Sequence, residues 1–172
     1  MRTRGAVGYG SAMQAAPQCR KCTTENFEPH EAGSTLCTYC ARFDTLSANA
    51  KKVRAGGSAP GIGITRGQFV AWASATERCC RYCTVPEELV EQLGILTQVG
   101  HRLRRLGIDR ADNDGGYDAT NLRWCCFACN KAKSNTFTEA EMLLIGPGIA
   151  AVWRTRLAAQ GISVHPWLLR AA

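Results

Sequence analysis

Three short elements of the chain carry residue types that could do chemistry. They are Cys80-Arg81-Tyr82-Cys83, Ile108-Asp109-Arg110 and Cys126-Phe127-Ala128-Cys129-Asn130. The middle element lies between two pairs of metal-ligating cysteines, and an amide side chain directly follows the last cysteine. This order predicts that a structural metal holds a strand with a carboxylate against a short helix with a carboxamide.

Cysteine is unusually frequent, with ten in a chain of 172 residues. Eight form C-x2-C pairs, which is the spacing of tetrahedral zinc sites rather than that of a disulfide framework. Cys79 and Cys125 each precede a pair and are expected to be small buried residues, although pairing with three intervening residues is an alternative. We expect two zinc sites, one made by Cys19, Cys22, Cys37 and Cys40 and the other by Cys80, Cys83, Cys126 and Cys129.

The formal charge of +7 overstates the basic character of the chain. A zinc ion with four thiolates has a net charge of −2, so two such sites lower the charge from +7 to +3. Each basic cluster alone could be a solvated surface, but positions beside the cysteine pairs favour a face for DNA phosphates. The predicted DNA-contacting residues are Arg42, Asn49, Lys51, Lys52 and Arg54, then Arg102, Arg104 and Arg105, and finally Arg123, Lys131 and Lys133.

Periodicity and chain breakers predict a mixed α+β organisation. Residues 1–17 are rich in Gly and Ala, lack the apolar run of a signal peptide, and are predicted to be a disordered leader. No segment has the length of a membrane span, so we expect a bacterial or phage-encoded protein of a reducing cytoplasm. Helices are predicted at 42–52, from Thr65, at 86–96, from Ala128 and from Thr138 with a break at 146–148; strands are predicted at 103–108 and 122–125, with a loop at 112–118.

Several segments around Asp109 resemble the catalytic core of HNH nucleases, also called ββα-metal nucleases. They are Gly107 to Arg110, Gly116-Tyr117, Asn121, Cys126 to Lys131 and Lys133 to Phe137. The order of all four cysteine pairs is also similar to that of a restriction endonuclease of this family. The resemblance implies an N-terminal four-cysteine zinc module at 18–60 and a ββα-metal core with the second zinc site at 61–172.

The resemblance also implies roles for single residues. Asp109 and the amide oxygen of Asn130 would bind one catalytic Mg²⁺ or Mn²⁺, because such hard ions prefer oxygen ligands. The alternative makes Asp109 a surface partner of Arg110 and Asn130 a helix cap. Asn121 matches the middle residue of the motif and is expected to tie the loop to the second strand by hydrogen bonds.

Arg110 departs from the pattern of the family, which usually has at this position a histidine that deprotonates the attacking water. Arginine does not lose its proton in proteins, so Arg110 is expected to grip the scissile phosphate and stabilise its charge. Tyr117 is the leading candidate for accepting the proton. Solvent is an alternative acceptor, and His101 is a weaker one.

The sequence therefore predicts a Mg²⁺-dependent endonuclease of the restriction type that hydrolyses double-stranded DNA. One active site per chain means that a double-strand break needs two subunits, and a two-fold homodimer would match a palindromic target. Two alternatives stay open. One is a phage or homing-type HNH enzyme that nicks DNA, and the other is a catalytically silent zinc-dependent DNA-binding protein, suggested by the missing histidine.

Overall fold

The middle of the chain is organised around a two-stranded hairpin followed by a short helix. In the computed structural model, which describes residues 18–25, 27–53, 59–96, 100–162 and 165–169, strands β1 (Gly107–Arg110) and β2 (Leu122–Cys125) pair in antiparallel orientation. Asp109 lies opposite Arg123 in this register. Helix α3 (Phe127–Lys133) follows directly, and Cys126 is its N-cap.

Four further helices surround this unit among the described residues. Three of them begin at a side-chain cap: Cys37 caps α1, and Thr65 and Thr138 form capping boxes with Gln68 and Glu141 at the starts of α2 and α4. The helices are α1 (Thr38–Ala50), α2 (Arg66–Ala75), α4 (Glu139–Ala159) and α5 (Pro166–Leu169). No helix in the described ranges combines the length and the apolar character that a membrane span requires.

The main core joins the first helix to the hairpin of β1 and β2. Phe43 of α1 contacts Phe69 of α2, Phe69 contacts Trp72, and Trp72 contacts Trp124 of β2, with ring centroids 5.6, 5.6 and 5.0 Å apart. The first cysteine group forms a separate small cluster with Phe27 and other apolar side chains. The predicted division at residue 60 stays a proposal, but α1 packs in the same core as the elements after it.

Helix α4 runs without a break through Gly146-Pro147-Gly148, so the predicted interruption is wrong. Gly146 is buried against the backbone of Tyr82, where an added Cβ would lie 2.5 Å from the Tyr82 carbonyl carbon and closer still to its oxygen. This glycine therefore permits a close approach between the helix and the second cysteine knuckle. Pro147 removes only one helical hydrogen bond, and the packing on both sides of it maintains the helix.

Two other predicted elements also differ from the structure. The helix predicted at 86–96 is a single 3-10 turn at Glu87–Leu89, after which the chain continues in turns that bury Leu93 and give Gly94 a φ of +66°. The first strand begins at Gly107 rather than at residue 103, so Asp109 lies within the strand and not at its end. The predictions for the strand at 122–125, the loop between the strands and the helix after Ala128 are confirmed, the helix beginning one residue earlier. The leader at 1–17 and the glycine pair at 56–57 lie outside the described residues.

Candidate active site and metal centres

Two groups of four cysteines have the geometry of tetrahedral metal sites. The sulfur atoms of each group lie within 4.8 Å of one another. The Sγ atoms of Cys22 and Cys37 are 3.7 Å apart, as are those of Cys83 and Cys126. Zn–S bonds of about 2.3 Å in a tetrahedron place sulfurs about 3.8 Å apart, whereas a disulfide requires about 2.05 Å. Both predicted four-cysteine groups are therefore present and could hold zinc.

The two remaining cysteines lie outside these groups. Cys125 is fully buried next to the second group, and its thiol donates to the Cys126 carbonyl at 3.3 Å. Cys79 is half-buried. The ligand sets follow the two-residue spacing, so the alternative pairing with three intervening residues is not adopted.

The second cysteine group fixes the elements that carry the candidate catalytic residues. The backbone N–H of Cys129 donates to the Cys126 sulfur at 3.5 Å, which caps α3. The N–H of Arg81, in the other knuckle, donates to the Trp124 carbonyl of β2 at 2.8 Å. One metal ion would therefore hold α3, β2 and the knuckle at 80–83 together, as the sequence analysis predicted for a structural metal.

The residues predicted for catalysis lie around one open cavity of about 420 Å³. Its polar wall includes an acid, two cations, a phenol and amides, and its apolar wall includes Ile108 and Phe127. Asp109, Arg110, Tyr117 and Asn130 all belong to the lining, together with Asn113, Lys131, Ser134 and Asn135. The fold thus brings together the four residues that the sequence separates by up to 21 positions.

Asp109 has a tyrosine partner that the sequence analysis missed. The Tyr82 hydroxyl donates to Asp109 Oδ2 at 2.7 Å, and both side chains are buried. Burial and the neighbouring Asp109 carboxylate raise the pKa of the Tyr82 phenol, which keeps its proton on the oxygen. Tyr82 lies between two cysteine ligands, and the only signal in the sequence was its place within the knuckle.

Arg110 and Tyr117 are in contact within the same wall. The Arg110 guanidinium lies over the Tyr117 ring, 5.5 Å from its centroid, and Nη1 donates to the Gly115 carbonyl. Only 5% of Arg110 and 6% of Tyr117 is exposed. The guanidinium has five N–H donors, so the bond to Gly115 orients the side chain and leaves donors for a phosphate group.

Asn121 makes the hydrogen bonds that its predicted structural role requires. Its Oδ1 accepts from the Asp112 N–H at 2.7 Å, and its Nδ2 donates to the carbonyls of Asp112 and Gly116 at 3.1 and 2.8 Å. These bonds join the start and end of the loop to the first residue before β2. The loop that carries Tyr117 is therefore fixed relative to the strands.

Burial changes the interpretation of three residues predicted to contact DNA. Arg42 is buried, with its guanidinium 2.5 Å from the Glu87 carboxylate and over the Trp124 ring at 4.7 Å. Lys133 has no exposed surface. Both side chains make internal contacts, Arg42 with Glu87 and Lys133 with the Arg110 carbonyl, and phosphate contacts by them stay a prediction.

Arg123 is the third residue, and it is half-buried. Its Nε lies 2.7 Å from Glu139 Oε1. Hydrogen bonds from Arg123, and to a smaller extent from Arg81, hold the pKa of the Glu139 carboxyl below its ordinary value.

Arg105 is also half-buried and donates to the His30 carbonyl at 2.8 Å. Arg54 lies outside the described residues. The exposed residues of the predicted set are Asn49, Lys51, Lys52, Arg102, Arg104 and Lys131.

The oxygen donors at the cavity fit a hard divalent cation. Asp109 supplies a carboxylate and Asn130 an amide oxygen, both in the lining. Mg²⁺ commonly binds through one or two protein oxygens and keeps several water molecules. The donor set therefore suits Mg²⁺ or Mn²⁺ and lacks the thiolates and imidazoles that would favour a softer ion.

Comparison with known proteins gives one informative match. A scan against models of protein families gave no match, and a comparison with curated proteins gave no significant match. Among solved structures, the chain is similar to the rare-cutting HNH restriction endonuclease PacI, whose structure is described as showing an extraordinary mechanism of DNA perturbation. The two chains are 34% identical over 81% of this chain and 96% of PacI, with a TM-score of 0.69. With this identity and coverage, the chain belongs to the HNH restriction endonuclease family and is a nuclease of the HNH kind.

Proposed function

We propose that the protein is a divalent-cation-dependent, sequence-specific endonuclease that cleaves double-stranded DNA as a homodimer. The observation that carries the proposal is the convergence of Asp109, Arg110 and Asn130 on one cavity, braced by a four-cysteine group. The similarity to PacI, a restriction endonuclease, supports DNA as the substrate and restriction-type cleavage as the activity.

Each residue of the cavity has a role in the proposed reaction. Mg²⁺, held by Asp109 and Asn130, would act as a Lewis acid on the phosphate and the leaving oxygen. Tyr82 fixes the Asp109 carboxylate through its 2.7 Å hydrogen bond. Arg110 donates to the scissile phosphate and stabilises the charge that develops in the transition state. Tyr117 lies beneath the guanidinium; as its phenolate it would accept the proton of the attacking water and become the neutral phenol.

Cleavage of both strands requires two copies of this cavity. Two subunits related by a two-fold axis would present them to the two strands of a palindromic site. Lys51 and Lys52, which follow α1 and are exposed, would contact the DNA backbone. The two cysteine groups would hold zinc, so elemental analysis of the native protein should give two zinc ions per chain.

Plasmid cleavage tests the proposal directly. Supercoiled plasmid carrying varied sequence should be linearised with Mg²⁺ and left intact with EDTA, and sequencing of the ends should give one symmetric site. Light scattering should give the mass of a dimer. Asp109→Ala should abolish cleavage, whereas Asp114→Asn, which removes an exposed carboxylate from the neighbouring loop, should retain it.

The outcomes separate the alternatives. Nicked circles from a monomer would favour the nicking enzyme. Intact plasmid under all metal conditions, with DNA binding retained, would favour the silent DNA-binding protein. Full activity of Asp109→Ala would refute the assignment of the active site.

A further inference from the structure

A buried lysine lies directly behind the candidate active site. Lys133, the last residue of α3, has no exposed surface. Its Nζ donates to the Arg110 carbonyl at 2.8 Å and to Asn113 Oδ1 at 2.5 Å, and it lies 3.6 Å from Asp109 Oδ2. An ammonium group has three N–H donors, and three oxygens surround this one. All three belong to β1 or to the loop that follows it.

Burial of an ammonium group is costly unless its partners replace the lost water. The partners of Lys133 are not a distant ion pair but the backbone and side chains that form the wall of the cavity. The side chain therefore connects the C-terminal end of α3 to the strand that carries Asp109 and Arg110. It holds this strand in place before a cation or DNA arrives.

The charges around the cavity do not favour a cation in the free protein. Among the described residues that line it, Asp109 is the single carboxylate, and Arg110 and Lys131 are cationic. Lys133 adds a positive charge 3.6 Å from the same carboxylate. Asp112 and Asp114 are exposed in the following loop and are not part of this lining. A divalent cation would thus enter a site with three positive charges against one negative charge.

The geometry points to Lys133 as a positioning residue. In the free protein its ammonium group compensates the negative charge of Asp109, which the divalent cation would otherwise compensate. The inference rests on the proposed nuclease function and adds a property of the same site. Lys133 forms an ion pair with the Asp109 carboxylate and fixes the Arg110 backbone by a hydrogen bond. The same charge weakens binding of the cation until the phosphate of the DNA adds negative charge to the cavity.

Coulomb's law sets the size of the expected effect. Charges of +2 and +1 about 6 Å apart, in a medium as polar as water, repel enough to change an affinity about tenfold. The effect is larger in the lower dielectric of a buried site. An exposed lysine at a similar distance is screened by water and salt and has a smaller effect.

Binding of Mn²⁺ to the zinc-loaded protein without DNA tests the inference. Electron paramagnetic resonance of free Mn²⁺ gives the dissociation constant. We expect Lys133→Met to raise the affinity at least about tenfold, by removing the repulsion estimated above. Lys131→Met, which removes an exposed charge from the same cavity, is the matched control and should change the affinity much less. Circular dichroism and zinc content establish that each variant is folded.

Cleavage kinetics give a second readout that a purely structural role would not produce. Lys133→Met should need less Mg²⁺ for half-maximal cleavage, while kcat at saturating Mg²⁺ falls because the Arg110 carbonyl and Asn113 lose their donor. The Mg²⁺ concentration for half-maximal cleavage and kcat should therefore both decrease. A variant that is merely unstable would lose kcat without binding the cation more tightly.

Lys133→Gln is the second variant, since its amide can still donate to the Arg110 carbonyl while the charge is absent. Unchanged or weaker Mn²⁺ affinity in either folded variant would overturn the inference. Micromolar Mn²⁺ affinity in the free wild-type protein would overturn it even if neither variant folded. Absence of DNA cleavage by the wild type would refute the proposed function and leave this comparison of Mn²⁺ affinities valid.

Discussion

Two glycines in α4 offer a controlled test of how the helix packs on the second cysteine knuckle. Gly146 and Gly148 flank Pro147 in the same helix, but their surroundings are opposite. A Cβ at 146 would lie 2.5 Å from the Tyr82 carbonyl carbon, whereas a Cβ at 148 would meet nothing within 4 Å. Carbon atoms pack best at about 3.5–4.0 Å, so Gly146→Ala requires the helix or the knuckle to move by about 1 Å.

The two substitutions should therefore change the free energy of unfolding in opposite directions. Alanine in place of glycine favours a helix by about 1 kcal/mol, and Gly148→Ala should gain most of it. Gly146→Ala receives the same gain but should lose about 1–3 kcal/mol to overpacking against a backbone that cannot rotate away. We expect it to be about 1–3 kcal/mol less stable than Gly148→Ala, as measured by urea unfolding.

Pro147 introduces one complication, because a residue before proline is restricted when it has a Cβ. The comparison is therefore repeated with Pro147→Ala in both variants, which removes that restriction. The gap between the two alanine variants should persist. Equal stability of the two in the Pro147→Ala background would refute the close approach of α4 to Tyr82. A further expected result is lower cleavage activity in Gly146→Ala, because displacement of the knuckle moves the Tyr82 hydroxyl away from Asp109.

The other predictions concern the site and its surroundings. Tyr117→Phe should slow cleavage by about 10² to 10⁴ if the oxygen of Tyr117 accepts a proton, and full activity of this variant would remove Tyr117 from the mechanism. Tyr82→Phe should mainly raise the Mg²⁺ concentration needed for cleavage, because Asp109 loses the hydrogen bond that fixes it. Replacing Lys51 and Lys52 with alanine should weaken DNA binding and lower the salt dependence of log K by about 0.9 per lost contact, whereas unchanged binding would leave both as solvated residues. Arg123 and Arg81 lower the pKa of Glu139, so its ionised carboxylate stabilises the fold at a pH above the ordinary pKa of a glutamate. This stabilisation is lost as the pH falls through the lowered pKa of Glu139 in the folded protein. Glu139→Gln should therefore make the free energy of unfolding depend less on pH in the acid range, and an unchanged dependence would contradict the ion pairs.

Local signals explain which parts of the fold could be predicted from the sequence. The helix starts at Thr65 and Thr138 and the four cysteine pairs depend on residues three positions apart, and each occurs where it was predicted. The cysteine groups also place Asn130 beside the strand with Asp109. The roles predicted for Asp109 and Asn130 came in addition from the resemblance to HNH nucleases.

Contacts between distant residues account for what the sequence did not reveal. Tyr82 and Asp109 are 27 positions apart, and Arg42 and Glu87 are 45 apart. Glu87 accepts hydrogen bonds from Arg42 and from the N–H of Leu106. It lies in a 3-10 turn, where helical periodicity had predicted a longer helix. A lysine in a basic cluster carries no sign of burial, so only the fold could place Lys133 in the interior.

Cys126 is the N-cap of α3 and also belongs to the four-cysteine group that could hold zinc, which has a consequence for the maturation of the enzyme. Helix α3 has seven residues, which is too short to be stable alone in water. Its cap, its anchor and the position of Asn130 all depend on one sulfur cluster, whose four ligands come from knuckles 43 positions apart at Cys83 and Cys126. The newly made chain would therefore lack a formed active site until synthesis has passed Cys129 and zinc has been acquired. If zinc fills this group, zinc supply would thus set the time at which the nuclease becomes active.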